Sequence, residues 1–197
     1  MCAVTERGLR ARHAFAAQYG FEQDSAEAYL LAGRLFLRRE FVAEAAVETR
    51  KALEINPSLP LAHQLLGEVA LAKGDSAGAI HELEAERKIN PLNGLMYDRL
   101  GDAYMQKNQL EKAQDALNQA LLLEPDATGP YILLGQVLLK QNNPTTAAIY
   151  LKRAVQMDPG NGISHFFLAQ AYRDLGRKQE SILEFQASAK IKASANH

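Results

Sequence analysis

Residues 94–127 read GLMYDRLGDAYMQKNQLEKAQDALNQALLLEPDA, and this stretch decides the fold. Its apolar residues recur at helical steps in two runs, parted around Asn108 and stopped at Pro125. Proline cannot continue a helix, and it turns the preceding residue away from helical geometry. The stretch is therefore two helices and a stop. The same stop stands at Pro57, Pro91 and Pro159, within EINP, KINP and QMDP, so that each proline follows the last by 34 residues. A fixed period of this length marks a repeat architecture and outranks any single local motif.

With each proline at position 32, the repeats run 26–59, 60–93, 94–127, 128–161 and 162–195. Position 8 carries Gly33, Gly67, Gly101, Gly135 and Ala169, and position 20 carries Ala45, Ala79, Ala113, Ala147 and Ser181. Position 27 carries Ala52, Glu86, Ala120, Ala154 and Ser188. Small side chains at these places let two helices approach closely. Larger residues supply the knobs. Position 4 has Tyr29, His63, Tyr97, Tyr131 and His165, and position 24 has Thr49, Leu83, Leu117, Leu151 and Phe185. Positions 4, 7, 8 and 11 share one face of a helix.

This pattern resembles the tetratricopeptide repeat, and the resemblance covers residues 26–195. It departs from the family at Glu86, Thr49 and Ala193, which stand where a small residue, an aromatic and the last proline belong. The fold it implies is all-α: an α-solenoid, a right-handed superhelix of helix-turn-helix pairs. Neighbouring pairs supply one another's core. The turn inside each pair needs a left-handed residue, and Gly74, Asn108, Asn142 and Gly176 hold that place, with Glu40 in repeat 1.

Residues 1–25 continue the frame backwards. Ala11 and Phe15 fall on positions 20 and 24 of a preceding repeat, so RHAFAAQYG reads as an orphan second helix or as an N-terminal cap. An uncapped start bearing Leu9, Phe15, Tyr19 and Phe21 predicts a homodimer through this end, or a longer native protein. Repeat 5, with Ser181, Ser188, Lys190 and Lys192, reads as a solvated terminal helix pair.

Composition narrows the function. Of 197 residues 47% are apolar, which argues against disorder, and the formal net charge of −1 without any basic run argues against nucleic acid. The lone Cys2 cannot form an internal disulfide or a cysteine-rich metal site. With no apolar leader and no span-length apolar stretch, the chain as written is expected to be cytoplasmic and off the membrane. No cofactor is implied. HELEA at His81 starts like a zinc-protease motif but has Ala85 where the second histidine belongs, and no phosphate loop or nucleophile elbow occurs. The chain is therefore expected not to be an enzyme.

In the family, positions 2, 5, 9, 12 and 13 of the first helices point into a concave groove. The resemblance then implies a partner-binding face made of Arg34, Arg38, Gln64, Glu68, Asp98 and Asp102, followed by Ile132, Gln136, Lys140, Phe166, Gln170 and Arg173. Glu68, Asp98 and Asp102 make its centre acidic, which suits a basic or amphipathic peptide. The carboxylate clamp of chaperone-tail binders is absent, since Leu30, Arg34, Leu65, Leu95 and Arg99 occupy its places in the first frame and the other two frames match less well. The asparagine ladder of glycosyltransferase-linked arrays fails likewise at Leu31, Leu65, Arg99, Leu133 and Phe167. The expected function is a non-catalytic scaffold that grips a peptide segment of a partner protein. The alternatives are a structural spacer or assembly module, and the regulatory part of a larger enzyme or sensor.

Overall fold

The computed structural model describes residues 2–194, apart from the side chains of residues 2–5, 7, 11, 15 and 16. Among the described residues there are eleven helices and no strand. α1 (Cys2–Tyr19) precedes α2 (Ala26–Arg38), α3 (Val42–Ile55), α4 (Ala62–Ala72) and α5 (Ser76–Ile89). Then come α6 (Gly94–Gln106), α7 (Leu110–Leu123), α8 (Thr128–Lys140), α9 (Pro144–Met157), α10 (Gly162–Asp174) and α11 (Lys178–Ser194). Two compact units divide the chain, residues 1–99 and 100–197, with the division inside α6. In the first, α2 packs on α3 and α4 on α5, α4 also lies against α2 and α3, and α1 covers α2 and α3. In the second, α7 packs on α8, α8 on α9, and α10 touches α8, α9 and α11.

The small residues at position 8 set the close approach within each pair. A methyl group on Gly67 would stand 2.6 Å from Leu83 Cγ, and one on Gly101 would stand 2.5 Å from Leu117 Cγ. Gly135 meets Leu151 in the same way. All three leucines are fully buried. In repeat 1 the partner of Gly33 is Thr49, a polar residue with no solvent exposure. Its hydroxyl donates to Ala45 O at 2.7 Å, so the departure from an aromatic leaves no orphaned donor.

Glu86 is a second departure, and it has a job. Pro60 and Leu61 occupy the first two positions of repeat 2, and Leu61 takes a left-handed φ of 71°, so α4 starts only at Ala62 with no side-chain cap of its own. The Glu86 carboxylate, fully buried on α5, accepts from Leu61 N at 2.8 Å and Gln64 N at 3.3 Å. It satisfies N–H groups that the helix start would leave unpaired, at the end where the helix dipole favours negative charge. In repeat 5 the hydroxyls of Ser181 and Ser188 donate to Ala169 O and Gly162 O, so these serines tie α11 to α10 instead of facing solvent.

Each turn inside a pair uses one left-handed residue: Glu40 (φ 63°), Gly74, Asn108, Asn142 and Gly176. The residue after it donates back to the helix, as in Phe41 N to Phe36 O at 2.9 Å and Asn143 N to Leu138 O at 2.8 Å. This is the closure that satisfies the last carbonyls of a helix. A side chain in left-handed geometry costs about 1–2 kcal/mol, partly offset in glycine by its greater unfolded-state entropy. Glu40→Gly is therefore expected to stabilise the chain by about 1 kcal/mol, read as a higher urea midpoint. A midpoint that stays put or falls would remove the strain assigned to this turn.

Candidate functional site

Each first helix has one side against its own second helix, and the remaining side carries the residues expected to meet a partner. The structure sorts these by position. At position 5, Gln64, Asp98 and Ile132 are 1%, 7% and 8% exposed. Leu30, at the same position in repeat 1, is partly buried and joins a cluster with Leu59 and Ala62 from the start of the next repeat. In repeat 1, position 5 thus points toward the start of the next first helix. Gln64, Asp98 and Ile132, expected from sequence on an open groove face, are thus buried in the structure. Phe166 differs: it is 42% exposed.

Positions 9 and 13 are exposed or half-buried in every repeat, whereas position 12 is apolar up to repeat 4, with Met105 buried, and is the exposed Arg173 in repeat 5. In the first unit Arg34 and Arg38 are exposed one turn apart on α2, while Glu68 is half-buried on the neighbouring α4. Asn93 Nδ2 donates to Gln64 Oε1 at 2.5 Å, and Gln64 Nε2 donates to Glu68 Oε1 at 2.8 Å. This chain of bonds fixes the Glu68 carboxylate from below. Asp98 accepts from Arg99 Nη1 at 3.2 Å, so its charge is matched at once. The acidic centre expected from sequence is therefore weaker here, with Glu68 its accessible member. In the second unit Asp102, Gln136 and Gln170 are half-buried, and Lys140 and Arg173 are exposed. Asp102 accepts from Gln106 Nε2 at 3.1 Å, and Arg173 Nε donates to Asp174 Oδ1 at 3.1 Å.

Sequence reasoning missed a second set of polar contacts. His63 Nδ1 lies 2.7 Å from Glu82 Oε2, and His165 Nδ1 lies 2.5 Å from Glu184 Oε2. Both pairs join position 4 to position 23, where repeat 4 has Tyr131 against Tyr150 with ring centroids 6.2 Å apart. The recurring spacing of 19 residues was the available signal. In repeat 1 the same places hold Tyr29 and Glu48, and Arg12 of α1 joins them. Its Nη1 lies 2.6 Å from Glu48 Oε2, and its guanidinium carbon sits 4.2 Å from the Tyr29 ring centre. Burial raises the Tyr29 pKa, against the opposing pull of Arg12. At the N-terminal end Leu9, Tyr19 and Phe21 are exposed, with the Tyr19 and Phe21 rings stacked 6.3 Å apart. The side chains of Ala11 and Phe15 lie outside the described residues.

The sequence profile of the tetratricopeptide repeat matches at residues 65–131, 99–162 and 132–196, together more than half of the chain. The chain belongs to the tetratricopeptide-repeat family. Among solved structures, PilF of Pseudomonas aeruginosa is 23% identical, with 84% of this chain and 75% of that one covered and a TM-score of 0.76. MamA of Desulfovibrio magneticus RS-1 is 19% identical over 88% and 98% of the two chains, with a TM-score of 0.77. YrrB, described as a tetratricopeptide-repeat protein with an unusual peptide-binding site, is 20% identical over 93% and 94%, with a TM-score of 0.72. At these identities the likeness is one of fold. Among curated proteins no sequence matches. Tetratricopeptide-repeat proteins generally mediate contacts between proteins. Among the described residues no set of three or more His, Cys, Asp and Glu side chains could hold a metal, and no helix is long and apolar enough to cross a membrane.

Proposed function

We propose that this tetratricopeptide-repeat protein is a non-catalytic scaffold that holds a peptide segment of a partner protein against its first helices. The reading rests on one observation. Position 5 is buried in repeats 2, 3 and 4, whereas positions 9 and 13 present charged and amide groups in both units. Regularly spaced polar groups on rigid helices give register and specificity to an extended ligand. Arg34, Arg38 and Glu68 do this in the first unit, and Asp102, Gln136, Lys140, Gln170 and Arg173 in the second. Glu68 and Asp102 favour a segment with basic side chains, and the arginines and Lys140 favour acidic ones beside them. YrrB, with its peptide-binding site, offers a parallel for this use of the fold.

The test is a pull-down from the source cells with parallel baits, wild type and Glu68→Lys/Asp102→Lys, followed by titration of the recovered partner. Two charge reversals at partly exposed contacts are expected to weaken binding by about 1–2 kcal/mol, roughly tenfold in Kd, and to flatten its salt dependence. A partner held equally well by both baits would favour the spacer reading instead.

A further inference from the structure

The last helix is longer than its counterparts. α3, α5, α7 and α9 have 14 residues each, whereas α11 has 17. The cause is one residue: Ala193 stands where proline stops the earlier repeats, so the helix runs on past Ile191, its fourteenth residue, through Lys192 to Ser194. The extra turn adds Lys192 to a surface that Ile191 already borders. With Ile163, Phe166 and Phe167 of α10 and Ser188 of α11, Ile191 and Lys192 line an open, mainly apolar groove of about 590 Å³. Ile163 is 58% exposed, and the Phe166 ring meets Phe167 and Phe185 edge-on at 5.3 and 5.6 Å, which holds it upright at the groove. A second depression continues around Ile191 past Lys190 and Ser194. The lip is thus basic, and Lys192 is the charged residue of the apolar lining.

The chain itself shows what kind of object fits such a surface. At the equivalent end of repeat 1, Ala26 and Ala52, with Tyr29, Leu30 and Leu53 packed against them, cluster with Leu59 and Ala62. Those last two residues are the entry and first turn of α4. At the equivalent place in repeat 4, Ile132 is buried on α8, a helix that α10 packs against. In repeat 1, then, this face receives a large apolar residue from just before the next first helix and a small one from that helix's first position. We propose that the groove between α10 and the lengthened α11 docks an amphipathic helix of a partner protein, its apolar stripe flanked by carboxylates that meet Lys190 and Lys192. The apolar groove accounts for the stripe, and the basic lip for the charges.

Two fluorescein-labelled peptides test this, each carrying residues 58–72 of the chain, one flanked at both ends by Glu-Glu and the other by Lys-Lys. Fluorescence anisotropy should show saturable binding of the acidic version to the full chain, tighter than the basic version by about tenfold. Phe166→Asp and, independently, Ile163→Asp should each weaken it by about tenfold or more. Lys190→Glu/Lys192→Glu should reverse the preference between the peptides. Ile149→Asp, on the exposed side of α9, should change nothing. Circular dichroism confirms that each variant stays helical, and the two separate groove variants guard against one misfolding. Equal binding of both peptides, or indifference to both groove variants, would overturn the proposal. So would self-association of the wild type, seen by sedimentation and abolished by Phe166→Asp, because the occupant would then be a second copy.

Discussion

Replacing Glu48 with alanine is expected to destabilise the first unit by about 3–5 kcal/mol, the cost of leaving a buried charge without its partner. Arg12 and Glu48 have side chains only 8% and 4% exposed, and they meet at 2.6 Å between α1 and α3. The other acidic neighbour of Arg12 is Asp24, 3.8 Å away and well exposed, which cannot replace a buried carboxylate. The Tyr29 ring offers the guanidinium a face, worth about 1–2 kcal/mol, which is less than the loss. Space around the pair is also spoken for, since a methyl group on Gly8 of α1 would run into the Glu48 carboxylate. In Glu48→Ala, then, α1 should detach from α2 and α3 so that Arg12 regains water. Urea unfolding gives the energy, and limited proteolysis reports the release of α1. Arg12→Met/Glu48→Met separates the causes: removing both charges should cost much less than Glu48→Ala alone. If the double variant were the less stable of the two, the charge would not be the reason.

The repeat frame was legible because close packing writes itself into residue size. Small residues at positions 8 and 20 and leucine at position 24 recur with the prolines, and a fixed period needs no knowledge of tertiary contacts. The partner-facing residues were only half legible. Helical periodicity gives the direction in which Gln64 or Ile132 points, but not how much of that side the rest of the chain covers, and both proved to be buried. Phe166 shares position 5 with them and stays exposed, which is why the same sequence signal has two structural outcomes. Long-range polar pairs were illegible for a related reason. Arg12 with Glu48 spans 36 positions, and Glu86 with the start of α4 spans 25. Neither partner is unusual in its own segment. Glu86 looked like a flaw at a small-residue position, and its role follows only once α4 is seen to begin uncapped behind Leu61.

Gly101→Leu is expected to cost at least about 3 kcal/mol, at the upper end of what overpacking a tight contact costs. Two effects compete at this site. Every residue except proline favours the helix more than glycine does, by up to about 1 kcal/mol for alanine. Against that, even a methyl group would lie 2.5 Å from Leu117 Cγ, and Leu117 has no exposure. The atom met is the branch point of the leucine rather than its flexible tip, so α6 and α7 would have to separate. Alanine should therefore show a small net loss, and leucine, with three further carbons to place, a large one. Leu117→Ala alone should cost about 2–5 kcal/mol through the cavity it leaves. Combined, Gly101→Leu/Leu117→Ala moves side-chain volume from one wall of the contact to the other. The pair should then be less destabilised than the sum of its parts by at least about 1 kcal/mol, the coupling expected of residues that touch. Urea denaturation of the three variants and wild type closes the cycle. Additive losses would mean that these side chains do not meet, and the assignment of position 8 to the close contact with position 24 would fail with them.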